Sequence, residues 1–358
     1  MYKLIRPFLF RLDPENAHEL TLRALRLAGN ITISRWLLQF LFKAPAKPVE
    51  AFGLTFKNPV GIAAGYDKDG VAIRGLSTLG FGHVEIGTVT PRPQSGNPSP
   101  RVFRLVEDEA VINRMGFPSL GTEHMQIELN PALRMGLAER VVGFSSRRRR
   151  VQRFSDAILG INLGRNKDTT NEQAVFDYLA LLQNFGGYAD YLAINVSSPN
   201  TVGLRDLQSR AVLETLLTHL HQQRVIEQTN HKKRIPILVK LSPDLSESEL
   251  DEAIEAILRS GMDGIIVTNT TLGRDGVSSR LQGESGGLSG SPLKARSEAV
   301  LYQTVRKVNG AVPIVSVGGI MNPEDAKKRL DMGAKLIQIY TGLVYRGPGL
   351  VKEILKQL

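Results

Sequence analysis

Cysteine is absent from the 358 residues. That excludes structural disulfides, thiolate metal sites, iron–sulfur clusters and a cysteine acting as nucleophile or base. It leaves the compartment open, because a cysteine-free protein can live anywhere. Long apolar runs are also missing, and none reaches the roughly 18 residues needed to span a bilayer. No secretory leader is legible. The first apolar stretches are interrupted by Arg11, Asp13 and Glu15, and no small-residue cleavage site follows. The expectation is a protein made and kept in the cytoplasm, either soluble or lying on a membrane face. The six histidines are scattered without metal-ligand spacing, so no metal is expected. No Ser-His-Asp/Glu order with a nucleophile elbow is evident.

What is present is the composition of a folded globular protein, with 42% hydrophobic and 22% charged residues. The net charge is +10 and the pI about 9.8, a balance that favours nucleic acid, an anionic membrane surface or anionic ligands. Half of that charge lies near the start. Residues 1–49 carry eight Lys/Arg (Lys3, Arg6, Arg11, Arg23, Arg26, Arg35, Lys43, Lys47) against Asp13, Glu15 and Glu19.

The proline-bearing segment Lys43-Ala-Pro-Ala-Lys-Pro48 separates two regions. Before it, residues 1–42 read as short helices. Asp13-Pro14-Glu15 has the form of an N-cap followed by proline at the first helical position. The stretch Ile33–Phe42, with Trp36, Leu37, Leu38, Phe40 and Leu41, is too apolar for an ordinary solvent-facing helix. After the linker, eight apolar β-branched runs each end in small or polar residues and lead into a helical segment. They are Pro59–Gly65, His83–Val89, Ile158–Gly164, Tyr191–Ser198, Ile237–Pro243, Gly264–Thr270, Pro313–Gly319 and Leu336–Gly342. Continuous apolar strands alternating with helices indicate a parallel sheet covered on both faces. Eight such units predict an α/β fold of the (β/α)8 barrel type, with an open doubly wound sheet as the alternative. Arg101–Val106 and Ala110–Asn113 predict a hairpin inserted after the second barrel strand. Residues 119–156 read as a weakly patterned insertion carrying Arg147–Arg150.

Barrel active sites form at the carboxyl ends of the strands, and here those ends are polar. Val317-Gly-Gly-Ile320 follows the seventh strand and Tyr340-Thr-Gly342 the eighth, where barrels commonly bind phosphate on backbone N–H groups. The glycine turn Gly286-Gly-Leu-Ser-Gly290 could join them. Any one of these glycines could serve only as a turn; their shared position favours an anion. Asn113, Asn162, Asn195, Asn200 and Asn269 also gather at strand ends. An Asn side chain offers one acceptor and two donors, matching the edge of a cyclic imide or pyrimidine, although a single Asn more often caps or turns. Lys240 lies inside the apolar strand Ile237–Leu241 and should face a partner, unless it snorkels to the mouth. Lys68 could pair with Asp67 or Asp69, or bind a carboxylate. Ser197-Ser198-Pro199-Asn200 follows strand four, where a helix-capping serine is the default.

These residues match a family. Asn58–Gly70, Glu85–Gln94, Asn113–Phe117, Gly160–Asp168, Asn195–Thr201, Val267–Thr271 and Gly286–Gly290 resemble the class 2, quinone-reducing dihydroorotate dehydrogenases over nearly the whole chain. The resemblance implies a helical quinone-access and membrane domain at 1–45 and an FMN-binding barrel at 46–358. FMN would contact Ala64, Gly65, Tyr66, Asp67, Lys68, Thr88, Asn162, Asn195, Lys240 and Thr268, with its phosphate near Gly290, Gly319, Tyr340 and Thr341. Dihydroorotate would be held by Lys68, Asn113, Asn195, Asn200, Asn269 and Thr270, with Arg114, Met115, Gly116 and Phe117 around it. Ser198 would be the general base for the C5 proton, with the C6 hydride passing to flavin N5. The lack of cysteine fits this class, since the soluble classes use cysteine as base. His18 and Arg104 would line a path for a ubiquinone-type quinone. The helices would rest on the cytoplasmic face of the inner membrane, and no nucleic acid would bind. Pro118 stands where the family pattern has asparagine, and 119–156 is longer than the pattern, which leaves the nearby lid geometry open. Two rival functions remain at this point: another FMN barrel oxidoreductase acting on a cyclic amide or imide, and a non-catalytic basic binding barrel.

Overall fold

The computed structural model describes residues 2–130 and 156–358. Three helices open the chain: α1 (Tyr2–Arg11), α2 (Pro14–Asn30) and α3 (Thr32–Leu41). Thirteen strands follow among the described residues: β1 (Val49–Ala51), β2 (Leu54–Phe56), β3 (Val60–Ile62), β4 (His83–Val89), β5 (Val102–Leu105), β6 (Ala110–Asn113), β7 (Ile158–Leu163), β8 (Tyr191–Asn195), β9 (Ile237–Leu241), β10 (Gly264–Val267), β11 (Gly287–Gly290), β12 (Ile314–Val317) and β13 (Leu336–Ile339). Eight of them close into a barrel in the order β3-β4-β7-β8-β9-β10-β12-β13, every neighbouring pair parallel. Each lies within, or coincides with the start of, one of the eight apolar runs. Closure is physically economical: these strands are buried on both faces, and a barrel leaves no edge to shield.

The barrel floor is sealed by the β1–β2 hairpin, whose Phe52 and Phe56 pack beneath Tyr191, Leu238, Ile266 and Leu336. His83 joins this aromatic floor edge-on to Phe56 at 5.4 Å. Its ring fits because the neighbouring strand presents Gly61, where a Cβ would come within 2.0 Å of the imidazole. With the floor filled by aromatic rings, open space is confined to the other end, where the strands finish.

The inserted hairpin is β5–β6 as expected, and it gains a third member. Gly287–Gly290, expected as a turn, is instead strand β11, paired antiparallel with β6 through Gly287–Asn113 and Gly290–Ala110. Gly286, at φ +123°, makes the turn into it, and Gly290, at φ +98°, the turn out of it. At Gly287 the requirement is closeness, since a Cβ there would lie 2.0 Å from Thr270 Oγ1. The start of the 119–156 stretch is also more regular than its pattern suggests. Gly121–Leu129 is a helix that buries Met125 and Leu129, and Gln126 donates to Asn184 at 2.9 Å. Arg147–Arg150 lie outside the described residues.

In the N-terminal unit, Asp13 caps α2 by accepting from the backbone N–H groups of Glu15 and Asn16, with Pro14 at N1. α2 crosses the helix Ile73–Ser77 at Gly29 and Gly75, where any Cβ would collide with opposing backbone. Close docking therefore leaves the apolar faces of α1 and α3 turned outward: Phe8, Ile33, Trp36 and Phe40 are each at least 65% exposed.

Candidate active site

A cavity of about 150 Å³ opens at the carboxyl ends of the barrel strands, roofed by the β5–β6–β11 sheet. Lys68, Ser198 and Lys240, which come from three different strand ends, all line it. So do Ala64, Gly65, Thr88, Asn113, Met115, Gly116, Phe117, Asn195, Asn200, Thr268, Asn269, Thr270, Gly290, Gly319, Tyr340 and Thr341. Four expected residues lie elsewhere. Tyr66 faces the neighbouring cavity below α2, edge-on to His18 at 5.0 Å and Tyr340 at 5.6 Å. Asp67 is buried and accepts from the N–H groups of Val71 and Ala72, so it shapes the loop that carries Lys68. Arg114 turns outward to Glu284 at 2.6 Å and stacks over Phe103. Asn162 sits beneath the cavity and accepts from Thr88 Oγ1 at 2.6 Å.

The amides form one hydrogen-bonded set. Asn195 donates to Asn162 Oδ1 at 3.0 Å and to Thr88 Oγ1 at 3.1 Å; Asn269 donates to Asn195 Oδ1 at 3.2 Å and to Ser197 Oγ at 3.0 Å. Across the mouth, Asn200 donates to Asn113 Oδ1 at 3.1 Å. Asn195 spends both donors and its oxygen on these neighbours and on Ser197, so it fixes the set, while Asn113, Asn200 and Asn269 are held by neighbours and keep unused donors or acceptors for a ligand. Lys68 donates to Gly65 O at 2.8 Å. Burial pushes its ammonium down to about 8, against the opposing pull of Asp69 and Glu15.

Lys240 is nine-tenths buried, and among the described residues its ammonium makes no hydrogen bond. Burial lowers its pKa and the carboxylate of Glu85 raises it. Glu85 itself is almost inaccessible and accepts from Asn162 at 2.9 Å, Tyr191 OH at 2.9 Å and Gln338 at 2.7 Å. The sequence reading missed Glu85 and Gln338. Their signal was the one that picked out Lys240: a polar residue inside an apolar strand, His83-Val-Glu-Ile86 and Leu336-Ile-Gln-Ile339. Buried polar atoms need partners; the Glu85 carboxylate finds three, whereas Gln338 Oε1 has none among the described residues.

At the opposite side of the mouth, Gly290, Gly318 and Gly319 have φ of +98°, +107° and +70° and leave no room for side chains. A Cβ on Gly319 would lie 2.4 Å from Lys294 Cα. Thr341 donates to Ser289 Oγ at 2.8 Å beside them. Behind this loop the fully buried Arg329 donates to Gly318 O at 2.9 Å and to Ser297 Oγ at 2.7 Å. Glu298, at 3.6 Å, and Asp325 offset the Arg329 charge, so what suits this cradle to an anion is the close approach its glycine backbone allows.

A second, largely apolar cavity of about 440 Å³ runs between α1, α2 and the barrel. His18 and Arg104 both line it. Burial holds His18 neutral, with its pKa down to about 3. Val102, Val111, Met115 and Tyr340 line both cavities, so only one layer of side chains separates them.

Fold and cavities together define a (β/α)8-barrel enzyme whose mouth joins a glycine-lined loop to a polar cavity, with a separate apolar chamber alongside. The dihydroorotate dehydrogenase family model matches residues 48–358. The chain is 46% identical over 357 residues to a protein of Alkalilimnicola ehrlichii named dihydroorotate dehydrogenase (quinone), covering 99% of this chain and 98% of that one. It is 44% identical over 362 residues to the protein of that name from Escherichia coli, covering 100% and 99%. Among solved structures, the dihydroorotate dehydrogenase of Eimeria tenella in complex with ferulenol aligns with a TM-score of 0.79 at 37% identity, covering 96% of this chain and 90% of that one. The chain belongs to the dihydroorotate dehydrogenase family.

Proposed function

We propose that this protein oxidises dihydroorotate to orotate in pyrimidine (UMP) biosynthesis, with FMN as hydride acceptor and a membrane quinone as final electron acceptor. The observation that carries the reading is the convergence of Lys68, Ser198 and Lys240 on one cavity that shares a wall with an apolar chamber.

The family is flavin-dependent in general, and the residues here suit FMN. The glycine cradle of Gly290, Gly318 and Gly319 fits a phosphate, and the buried Lys240 ammonium lacks a hydrogen-bond partner among the described residues. The cradle with Thr341 would hold the phosphate. Thr88, Asn195, Lys240 and Thr268 would face the ring. When bound, FMN supplies the two-electron acceptor that links a hydride donor to a quinone. The rest is the work of this chain. Lys68 pairs with the substrate carboxylate, while Asn113, Asn195, Asn200, Asn269 and Thr270 read the pyrimidine edge. Ser198 removes the C5 proton as hydride leaves C6. An alcohol is a weak base, so position supplies most of the rate. Ser198 Oγ accepts from the N–H of Asn200 at 3.3 Å, which fixes its place. The hydroxyl of Thr201 is buried without a hydrogen-bond partner among the described residues, and it would pass the proton on through water.

The outward apolar face of α1 and α3, with basic residues around it, suits a helical unit lying in a membrane surface. No helix among the described residues is long and apolar enough to cross a membrane. We assign the unit to the cytoplasmic face of the inner membrane, where quinone would enter the chamber past His18 and Arg104.

The test is anaerobic. Dihydroorotate should bleach the yellow holoprotein and a ubiquinone analogue should restore the colour. Ser198→Ala should keep its flavin and lose turnover by about 100-fold or more, the lower range of general-base contributions. Near wild-type turnover in that variant would refute the assignment of the base.

A further inference from the structure

On α2, one turn before His18 of the apolar chamber, stands Glu15. Its carboxylate takes both forks of Arg101: Nε donates to Oε1 at 2.9 Å and to Oε2 at 3.2 Å, and Nη2 donates to Oε1 at 2.7 Å. Both side chains are more than four-fifths buried, so the pair is not a loose surface contact. Arg101 uses its remaining nitrogen on the barrel loop, donating to Ser95 O at 2.6 Å and to Asn97 O at 2.9 Å.

Asn97 in turn grips the substrate loops. Its side-chain amide donates to Arg114 O at 2.9 Å and to Asn200 O at 3.3 Å, and its N–H donates to Met115 O at 2.9 Å. Asn200 and Met115 both line the mouth cavity. Every link is a hydrogen bond, from a helix of the chamber to two walls of the substrate cavity. The first link is bidentate and charge-assisted, the kind that fixes geometry as well as contributing energy.

We propose that Glu15 and Arg101 are positioning residues for dihydroorotate, a latch by which the N-terminal helical unit holds the Asn200 and Met115 loops in their binding geometry. The helical unit then has a role in the dehydrogenase half-reaction as well as in quinone access. The inference rests on the reading of the mouth cavity as the dihydroorotate and orotate site.

The test is titration of the holoprotein with orotate, read from the flavin absorbance, alongside steady-state KM for a ubiquinone analogue. Glu15→Gln keeps the size of the side chain and removes its charge. It should weaken orotate binding about fivefold and leave flavin content unchanged. Arg101→Lys keeps the charge but loses the fork, and should do the same. Because Glu15 itself lines the chamber and Arg101 does not, the quinone KM is read on Arg101→Lys, where it should stay within about twofold. The double variant Glu15→Gln/Arg101→Lys should be no weaker than the worse single one, because the two changes break one link. A second readout follows from charge. Glu15 lies close enough to Lys68 to favour its charged form, so Glu15→Gln should also shift the alkaline loss of orotate binding to lower pH. Orotate affinity within about twofold of wild type in both single variants, or additive losses in the double one, would overturn the latch. Failure of the wild-type holoprotein to bind orotate would instead refute the reading of the cavity.

Discussion

If Lys68 is the partner of the substrate carboxylate, as proposed, orotate binding should be sensitive to alkali within an accessible range. Inside the cavity the Lys68 ammonium has been pushed down by burial to about 8, with Asp69 and Glu15 limiting the fall and Arg101 adding to it. The sign follows from the partner. A substrate carboxylate binds the charged amine, so affinity is complete below that value and fades above it. With a pKa of about 8, roughly nine-tenths of the free enzyme carries the charge at about pH 7 and roughly one-tenth at about pH 9. Orotate should therefore bind about tenfold more weakly at the higher pH, equivalent to about 1.4 kcal/mol. An ordinary lysine would remain charged over the same range and give a flat profile. The assay is equilibrium titration of the oxidised holoprotein with orotate, which isolates carboxylate binding from proton removal by Ser198. Lys68→Met should bind weakly at every pH and lose the alkaline step. If the step survived in Lys68→Met, or if wild-type affinity were unchanged up to about pH 9, Lys68 would not be the carboxylate partner.

Two further outcomes can be checked. His83 is completely buried in the barrel floor, neither ring nitrogen has a hydrogen-bond partner among the described residues, and burial lowers its pKa to about 3. The unfolded chain binds a proton near the usual value of about 6.5, so stability is lost as pH falls below that value, by about 1.4 kcal/mol at about pH 5.5. Urea unfolding of His83→Leu should show a pH dependence smaller by that amount; equal slopes would mean that His83 is protonated in the fold. Trp36 and Phe40 stack at 5.9 Å on the outward face of α3. Replacing both with serine should weaken sedimentation with anionic vesicles at least about tenfold, given about 1.5–3 kcal/mol for each large apolar side chain buried; undiminished binding would place the membrane face elsewhere.

Much of this was legible in one dimension because period and composition are local. The eight apolar runs became the eight barrel strands, since an aliphatic segment between glycine and helix has few places to go other than a parallel sheet covered on both sides. Asp13-Pro14 announced the start of α2 for the same reason: a cap is satisfied by neighbours two or three residues away. Lys240 could be singled out because a cation in an aliphatic strand demands an explanation whatever the fold.

Other features depended on what the barrel brought together. Gly287–Gly290 carried every mark of a turn, yet β6 lay alongside to pair with it, and hydrogen-bond partners across more than 170 residues leave no trace in the local pattern. Arg114 stood in the middle of the substrate motif, and its side chain nevertheless left for Glu284. Glu85, Gln338 and the Glu15–Arg101 pair became interpretable only when their partners arrived from other strands and helices. The sequence by itself determined which segments are strands and which residue types crowd the strand ends, because those follow from neighbours along the chain. Closure of the barrel decided which side chains share a cavity and which turn away, because direction and distance between remote residues exist only once the chain has folded.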